Sequence, residues 1–282
     1  VTMTLDLSQV VPQVEAMASR LQQSRDDRAQ RLEAALRLLE RTPLDALEAR
    51  LEKASKVTWL MGEPLEPPTT RHLPTTCPAT YTVLATDGSH IDVDRHSPAR
   101  CYLINLGLVL LRYGPDPDAY LDSQATLYTS EADMTIADPG GDASVPLDSE
   151  LVGLKRTVAE AEALSRLAAS APAGGPSLAL VDGTLVLWSL SGNSYPDYVK
   201  DAFLRPFLDS LARLRTQDVP GASYISAPRS SEVVNLYRLA LCPLDDPNCD
   251  RCSAGSPGRH PCDAVGGLED RAPNQLSGGQ QQ

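Results

Sequence analysis

Aromatic rings are scarce in this chain. Two Phe, two Trp and nine Tyr are spread over 282 residues, so aliphatic side chains must make most of any core. Cysteine is scarce too. Six in the whole chain are too few for the disulfide framework of a small secreted domain, and a reducing cytoplasm is the expected location. Positive charge is outweighed: 25 Lys and Arg stand against 37 Asp and Glu, a net charge of −12. That excludes a polycationic nucleic-acid binder, because phosphate neutralisation needs clustered Lys and Arg. It leaves room for an enzyme that meets phosphate through bound divalent cations. Long apolar runs are missing. The longest, residues 101–111, is broken by Asn105, and a membrane span needs about 18 or more apolar residues. No cationic segment followed by an apolar one opens the sequence, so no signal peptide is read. No internal repeat is visible.

What is present is ordinary for a globular protein: 42% hydrophobic and 22% charged residues, long enough for one large domain or two small ones. Residues 4–56 read as helices, a helical arm over 1–61. Val10, Val14, Met17 and Leu21 form one stripe, Leu32, Leu36 and Leu39 a second, and Leu44, Leu47 and Leu51 a third. Pro43 sits at a first-turn position behind Thr42, a good N-cap. The arm is either a hairpin packed on the domain or a surface for a partner or a second copy. Residues 62–80 hold five prolines and no periodicity, which marks a linker or an extended strap.

The texture then changes. Residues 81–94 and 101–113 are β-branched and aliphatic with turn residues between them, a hairpin of long strands. Residues 119–129 offer a third strand, and 137–148 a loop. A helix is expected over 150–170, a buried strand over 177–190, a helix over 197–216, a short strand over 222–227 and a short helix over 232–241. Strands followed by alternating helix and strand give an α/β fold, a mixed sheet with helices on both faces. The domain is drawn over 81–241.

Two segments share one local grammar: Val83-Leu84-Ala85-Thr86-Asp87-Gly88-Ser89 and Ala179-Leu180-Val181-Asp182-Gly183-Thr184-Leu185. An ionised Asp inside an aliphatic run is costly if buried alone and tolerable beside a cation. The Gly clears space next to the carboxylate. Asp-Gly also marks hairpin turns, but strand texture continues past both copies, at Ile91 and Val93 and at Val186, Leu187 and Trp188. Metal-assisted phosphoryl chemistry wants several hard oxygen ligands, so a third carboxylate is needed. The helix before the second segment offers Glu160 and Glu162, one on each side of its apolar stripe, and its angle alone does not separate them.

These residues resemble the NurA nucleases, which work with the HerA ATPase on DNA ends. The resemblance rests on Ala85-Thr86-Asp87-Gly88-Ser89, Arg156-Thr157-Val158-Ala159-Glu160, Leu180-Val181-Asp182-Gly183-Thr184-Leu185 and residues 221–228, in that order over roughly 80–240. It implies a ribonuclease H-like fold, Mn²⁺- or Mg²⁺-dependent cleavage of DNA, a homodimer and docking to a hexameric HerA-type motor. By that match Asp87, Glu160 and Asp182 are the catalytic, metal-binding carboxylates; Glu160 is preferred because the family pairs an Arg with a Glu four residues later. The chain departs from the family in lacking its late histidine. Of His72, His90, His96 and His260, none falls in a matching helix, and His90 and His96 are expected on the surface or in a loop.

Cys242, Cys249, Cys252 and Cys262, with His260 among them, could hold a structural zinc ion through thiolate and imidazole ligands. The alternative is a loop of thiols over 242–265. Cys77 and Cys101 stand alone. Residues 266–282 end in Leu276-Ser277-Gly278-Gly279-Gln280-Gln281-Gln282, similar to the signature motif of ABC-transporter ATPases. No Gly-x-x-x-x-Gly-Lys-Ser/Thr loop accompanies it, so an ATPase is disfavoured. The expectation is a C-terminally incomplete nuclease with an unstructured tail. The competing expectation is a non-catalytic α/β interaction module whose strand-end carboxylates are merely solvated.

Overall fold

The computed structural model describes residues 7–54, 56–57, 59–93, 100–171, 175–226, 228, 230–253 and 262. His96, His260, the side chain of Cys252 and the 266–282 tail therefore lie outside the described residues. No helix among the described residues is long and apolar enough to cross a membrane.

The elements run α1 (Leu7–Arg41), α2 (Leu44–Lys53), β1 (Tyr81–Ile91), β2 (Tyr102–Tyr113), β3 (Asp118–Tyr128), β4 (Thr135–Ala137), β5 (Ser144–Pro146), α3 (Ser149–Ala169), β6 (Ser177–Asp182), α4 (Asp197–Thr216), β7 (Gly221–Tyr224), α5 (Glu232–Ala240) and α6 (Cys249–Ser253). They form two compact units, Thr75–Ser226 and the described parts of Val1–Pro74 and Ala227–Gln282.

Thr75–Ser226 carries a five-stranded sheet in the order β3-β2-β1-β6-β7. β1, β2 and β3 are antiparallel neighbours, while β6 runs parallel to β1 and β7 parallel to β6. This is the expected mixed sheet flanked by helices. The alternation of β1 and β2 places Thr82, Leu84, Thr86, Tyr102, Ile104, Leu106, Leu108 and Leu110 on one buried face. α3 and α4 share a single core cluster with that face through Leu151, Leu164, Phe203 and Phe207. Helices on both faces were expected; here the core side chains of the sheet all lie on the α3 side. The aliphatic residues of the other parity, such as Val83 and Val109, stay half-exposed.

Two local expectations change. The strand expected over 177–190 ends at Asp182, because Gly183 adopts φ +102, a left-handed turn that takes the chain out of the sheet. Trp188–Leu190 becomes a turn of 3-10 helix instead. The loop expected at 137–148 holds the turn and second strand of the small β4–β5 hairpin.

In the other unit, α2 and α5 pack through Leu47, Leu236 and Tyr237, with Leu38, Leu39 and Leu51 around them. Sequence placed α5 with the sheet; its apolar face instead meets the N-terminal helices. Arg50 donates to Cys242 O at 2.8 Å, closing the C-terminal end of α5 where carbonyls lack helical partners. Thr42 does not cap α2 as expected. Its hydroxyl turns back to Leu38 O at 2.8 Å, and Pro43 occupies the N-cap position. The first stripe of α1 is uncovered, with Val14, Met17 and Leu21 all exposed.

Candidate active site

β1 and β6 run side by side in parallel, with Thr86 opposite Val181, so Asp87 and Asp182 each follow the last paired position of neighbouring strands. Both carboxylates are exposed. The first Asp-Gly pair is no turn: Asp87 and Gly88 sit within β1, opposite Gly107 and Leu106 of β2. The second ends its strand. The two Asp lie along an open cleft of about 440 Å³ whose lining also includes Ala85, Gly107, Leu180 and Tyr224.

Glu160 arrives from α3. Strand parity puts Asp87 on the open face and Gly88 on the face toward α3. Glu160 reaches Gly88 there and is 6% exposed. Thr86 anchors this stretch, its buried hydroxyl donating to Glu160 O at 3.1 Å. One turn earlier, Arg156 donates to Gly88 O at 2.9 Å and holds Nε 3.2 Å from Glu160 Oε1. That pair is off hydrogen-bond alignment, and both atoms are buried without a hydrogen-bond partner. An orphaned buried carboxylate oxygen is expensive.

Burial pushes the Glu160 carboxyl up to about 7; Arg156 and the Gly88 N–H pull it down, and the charges of Asp87 and Asp182 push it further up. Glu160 thus feels both aspartates across the strand. Glu162, which helical angle alone did not separate from it, is 38% exposed at its side chain and pairs with Arg166 at 3.9 Å. Of the two, Glu160 is the one buried beside Gly88. Sequence reasoning missed Thr86 as an anchor, although a Thr at buried parity in an aliphatic run was a signal.

Among the described residues no three His, Cys, Asp or Glu side chains converge closely enough to hold a metal ion. Asp87 and Asp182 front the open face and Glu160 stands behind Gly88. The donor chemistry suits a hard divalent cation: carboxylate oxygens, one of them buried without a hydrogen-bond partner. The described cysteines form no such group either; Cys242 and Cys249 are half-buried and Cys262 is buried. His90 belongs to β1 rather than to a loop, with Nε2 3.4 Å from Asp92 Oδ1. His72 pairs with Glu66 at 2.8 Å, outside this unit.

The family model of the NurA domain matches residues 81–263. No curated protein matches the sequence. Among solved structures the chain is similar to the prototype foamy virus protease-reverse transcriptase at 15% identity and TM-score 0.31, covering 54% of this chain and 18% of that one. It is similar to RNase H1 of the archaeon Halobacterium salinarum at 11% identity and TM-score 0.27, covering 52% and 86%. A third similarity is to the N-terminal RNase H domain of a Mycobacterium tuberculosis protein, solved as a fusion with maltose binding protein, at 14% identity and TM-score 0.25, covering 63% and 99%. The chain spans only 18% and 21% of the two foamy virus structures that head these similarities.

Proposed function

The chain belongs to the NurA domain family of nucleases, and on that premise we propose that it is a divalent-metal-dependent deoxyribonuclease acting on DNA ends. The observation that carries this reading is that Asp87 and Asp182 both follow the last paired position of β1 and β6, with Glu160 buried against Gly88 next to Asp87. Asp87, Glu160 and Asp182 would hold Mn²⁺ or Mg²⁺. A cation bound there supplies Lewis-acid polarisation of the phosphate and an acidified water. The chain's own residues do the rest. Arg156 fixes Glu160 against β1. Glu160 can hold a proton near neutral pH, since burial pushes its carboxyl up to about 7. The open cleft admits a strand beside Asp87 and Asp182.

The net charge of −12 gives a weak grip on DNA. A hexameric HerA-type motor would supplement it by holding the strand nearby, as linked binding modules do. A homodimer completes the proposed assembly.

Asp87→Asn and Asp182→Asn test the reading. Each should lower Mn²⁺-dependent cleavage of linear DNA by about 10²–10³-fold and weaken Mn²⁺ binding in calorimetry, with an unchanged circular dichroism spectrum. Undiminished Mn²⁺ binding in the double variant would place the site elsewhere.

A further inference from the structure

A free strand edge is a row of unmet backbone donors and acceptors, and proteins normally guard it with Pro, Lys, a bulge or a short strand. β3 has none of these guards. It is the outermost strand of its sheet, 11 residues long and exposed along all but its last residue. Its register with β2 runs residue for residue without a bulge. Between Asp118 and Tyr128 there is no Lys, Arg or Pro. It also displays large apolar side chains, Leu121 at 69% and Leu127 at 59% exposure. With two Asp and no cation, it repels a phosphate backbone.

We propose that β3 pairs antiparallel with β3 of a second copy, with the two-fold axis at Gln124. The sequence of the strand is complementary to itself about that residue. Leu121 then faces Leu127 and Tyr120 faces Tyr128, each twice. Asp122 faces Thr126, Ser123 faces Ala125, and Gln124 faces itself. Directly opposed apolar and aromatic pairs are the stabilising unit of an antiparallel sheet, and like charges opposite each other are the destabilising one. Neighbouring registers do worse. Centred on Asp122, the strand sets that carboxylate against its own copy. Centred on Ser123, it sets Leu against Ala and Tyr against Thr. In the Gln124 register, Tyr120 of one copy comes beside Tyr128 of the other. Tyr128 already stacks on Tyr102 with ring centroids 4.5 Å apart, so the pairing lengthens a stack that exists. Such an interface is isologous and closes on itself. It gives a surface to the homodimer proposed above, and its failure leaves the carboxylate site untouched.

The test is a charge swap on the axis, made in the full chain. Gln124→Lys and Gln124→Glu each set a charge against its own copy. Sedimentation at low salt should find the wild type dimeric and each variant's dimer Kd raised roughly tenfold. An equimolar mixture of the two variants should recover wild-type association, because Lys then faces Glu. Circular dichroism and a thermal melt confirm that each variant is folded. A monomeric wild type overturns the proposal, as do variants that dimerise like the wild type or a mixture that fails to recover.

Discussion

Gly88 leaves the room in which the Glu160 carboxylate sits. A methyl group built on Gly88 would stand 2.5 Å from Glu160 Oε1 and 2.9 Å from Arg156 Cγ, closer than atoms in ordinary contact. The sequence suggested that this glycine clears space next to Asp87; the Glu160 carboxylate fills that space.

Gly88→Ala should therefore displace Glu160 while sparing the strand, since β1 is extended at that position. The expected cost in stability is about 1–3 kcal/mol, because Glu160 Oε1 ends a flexible side chain but the Arg156 stem must shift as well. Cleavage should fall by about 10²-fold. Thermal melting and a Mn²⁺-dependent nuclease assay on the same preparation check it. A fully active variant would mean that the present position of Glu160 is not the working one.

Arg156→Gln removes the cation that pulls the Glu160 carboxyl down and the donor that holds Gly88 O. The carboxyl should rise further, and protons should then compete with the metal at neutral pH. Mn²⁺ affinity should drop roughly tenfold at pH 7 and recover at higher pH. Arg156→Lys should recover part of it, as an ammonium cannot serve the carbonyl and the carboxylate in the same way as a guanidinium fork. Calorimetry at two pH values separates the three proteins.

The pH dependence of stability follows from the same residue. Burial raises the Glu160 carboxyl from 4.5 to about 7 in the folded chain. Below pH 4.5 both states hold the proton and nothing is lost. Between about 4.5 and 7 the unfolded chain releases its proton and the folded chain keeps it, so stability falls as pH rises. Above 7 the loss levels off at about 3 kcal/mol. Denaturation in chelator at pH 5 and pH 8 should show this fall in the wild type, and a smaller one in Glu160→Gln. Equal slopes would place the destabilising charge on another group.

Thr86→Val keeps the shape of the side chain and removes the buried hydrogen bond to Glu160 O. That carbonyl also serves the α3 ladder, so losing its second hydrogen bond should cost about 1 kcal/mol in chemical denaturation. The loss should weaken Mn²⁺ binding less than Gly88→Ala does, because the Glu160 head keeps its place.

Much of the sheet unit was legible in the sequence. The β1–β2 hairpin, β3, α3 and α4 appear within a few residues of where periodicity put them, because each carries an unbroken pattern over many residues. The repeated Asp-Gly grammar pointed to two positions that lie on neighbouring strands. Short or interrupted patterns misled. Val186, Leu187 and Trp188 have strand texture, yet the positive φ of Gly183 had already ended β6. α5 has a clear apolar face, but its pattern does not say which surface that face meets.

The sequence by itself determined most of the elements, their order and the Asp-Gly positions on β1 and β6, since these depend on local periodicity and on residue chemistry. Tertiary structure alone decided the surroundings of Glu160 and Glu162. Both flank the same helical stripe, and only the packing of α3 on β1 buries one beside Arg156 and leaves the other exposed. It alone decided that α3 and α4 share one core with a single face of the sheet, because an aliphatic strand residue reads the same whether a helix covers it or not. The role of Gly88 was decided there too: the space a missing side chain leaves has a meaning only once another element is packed into it.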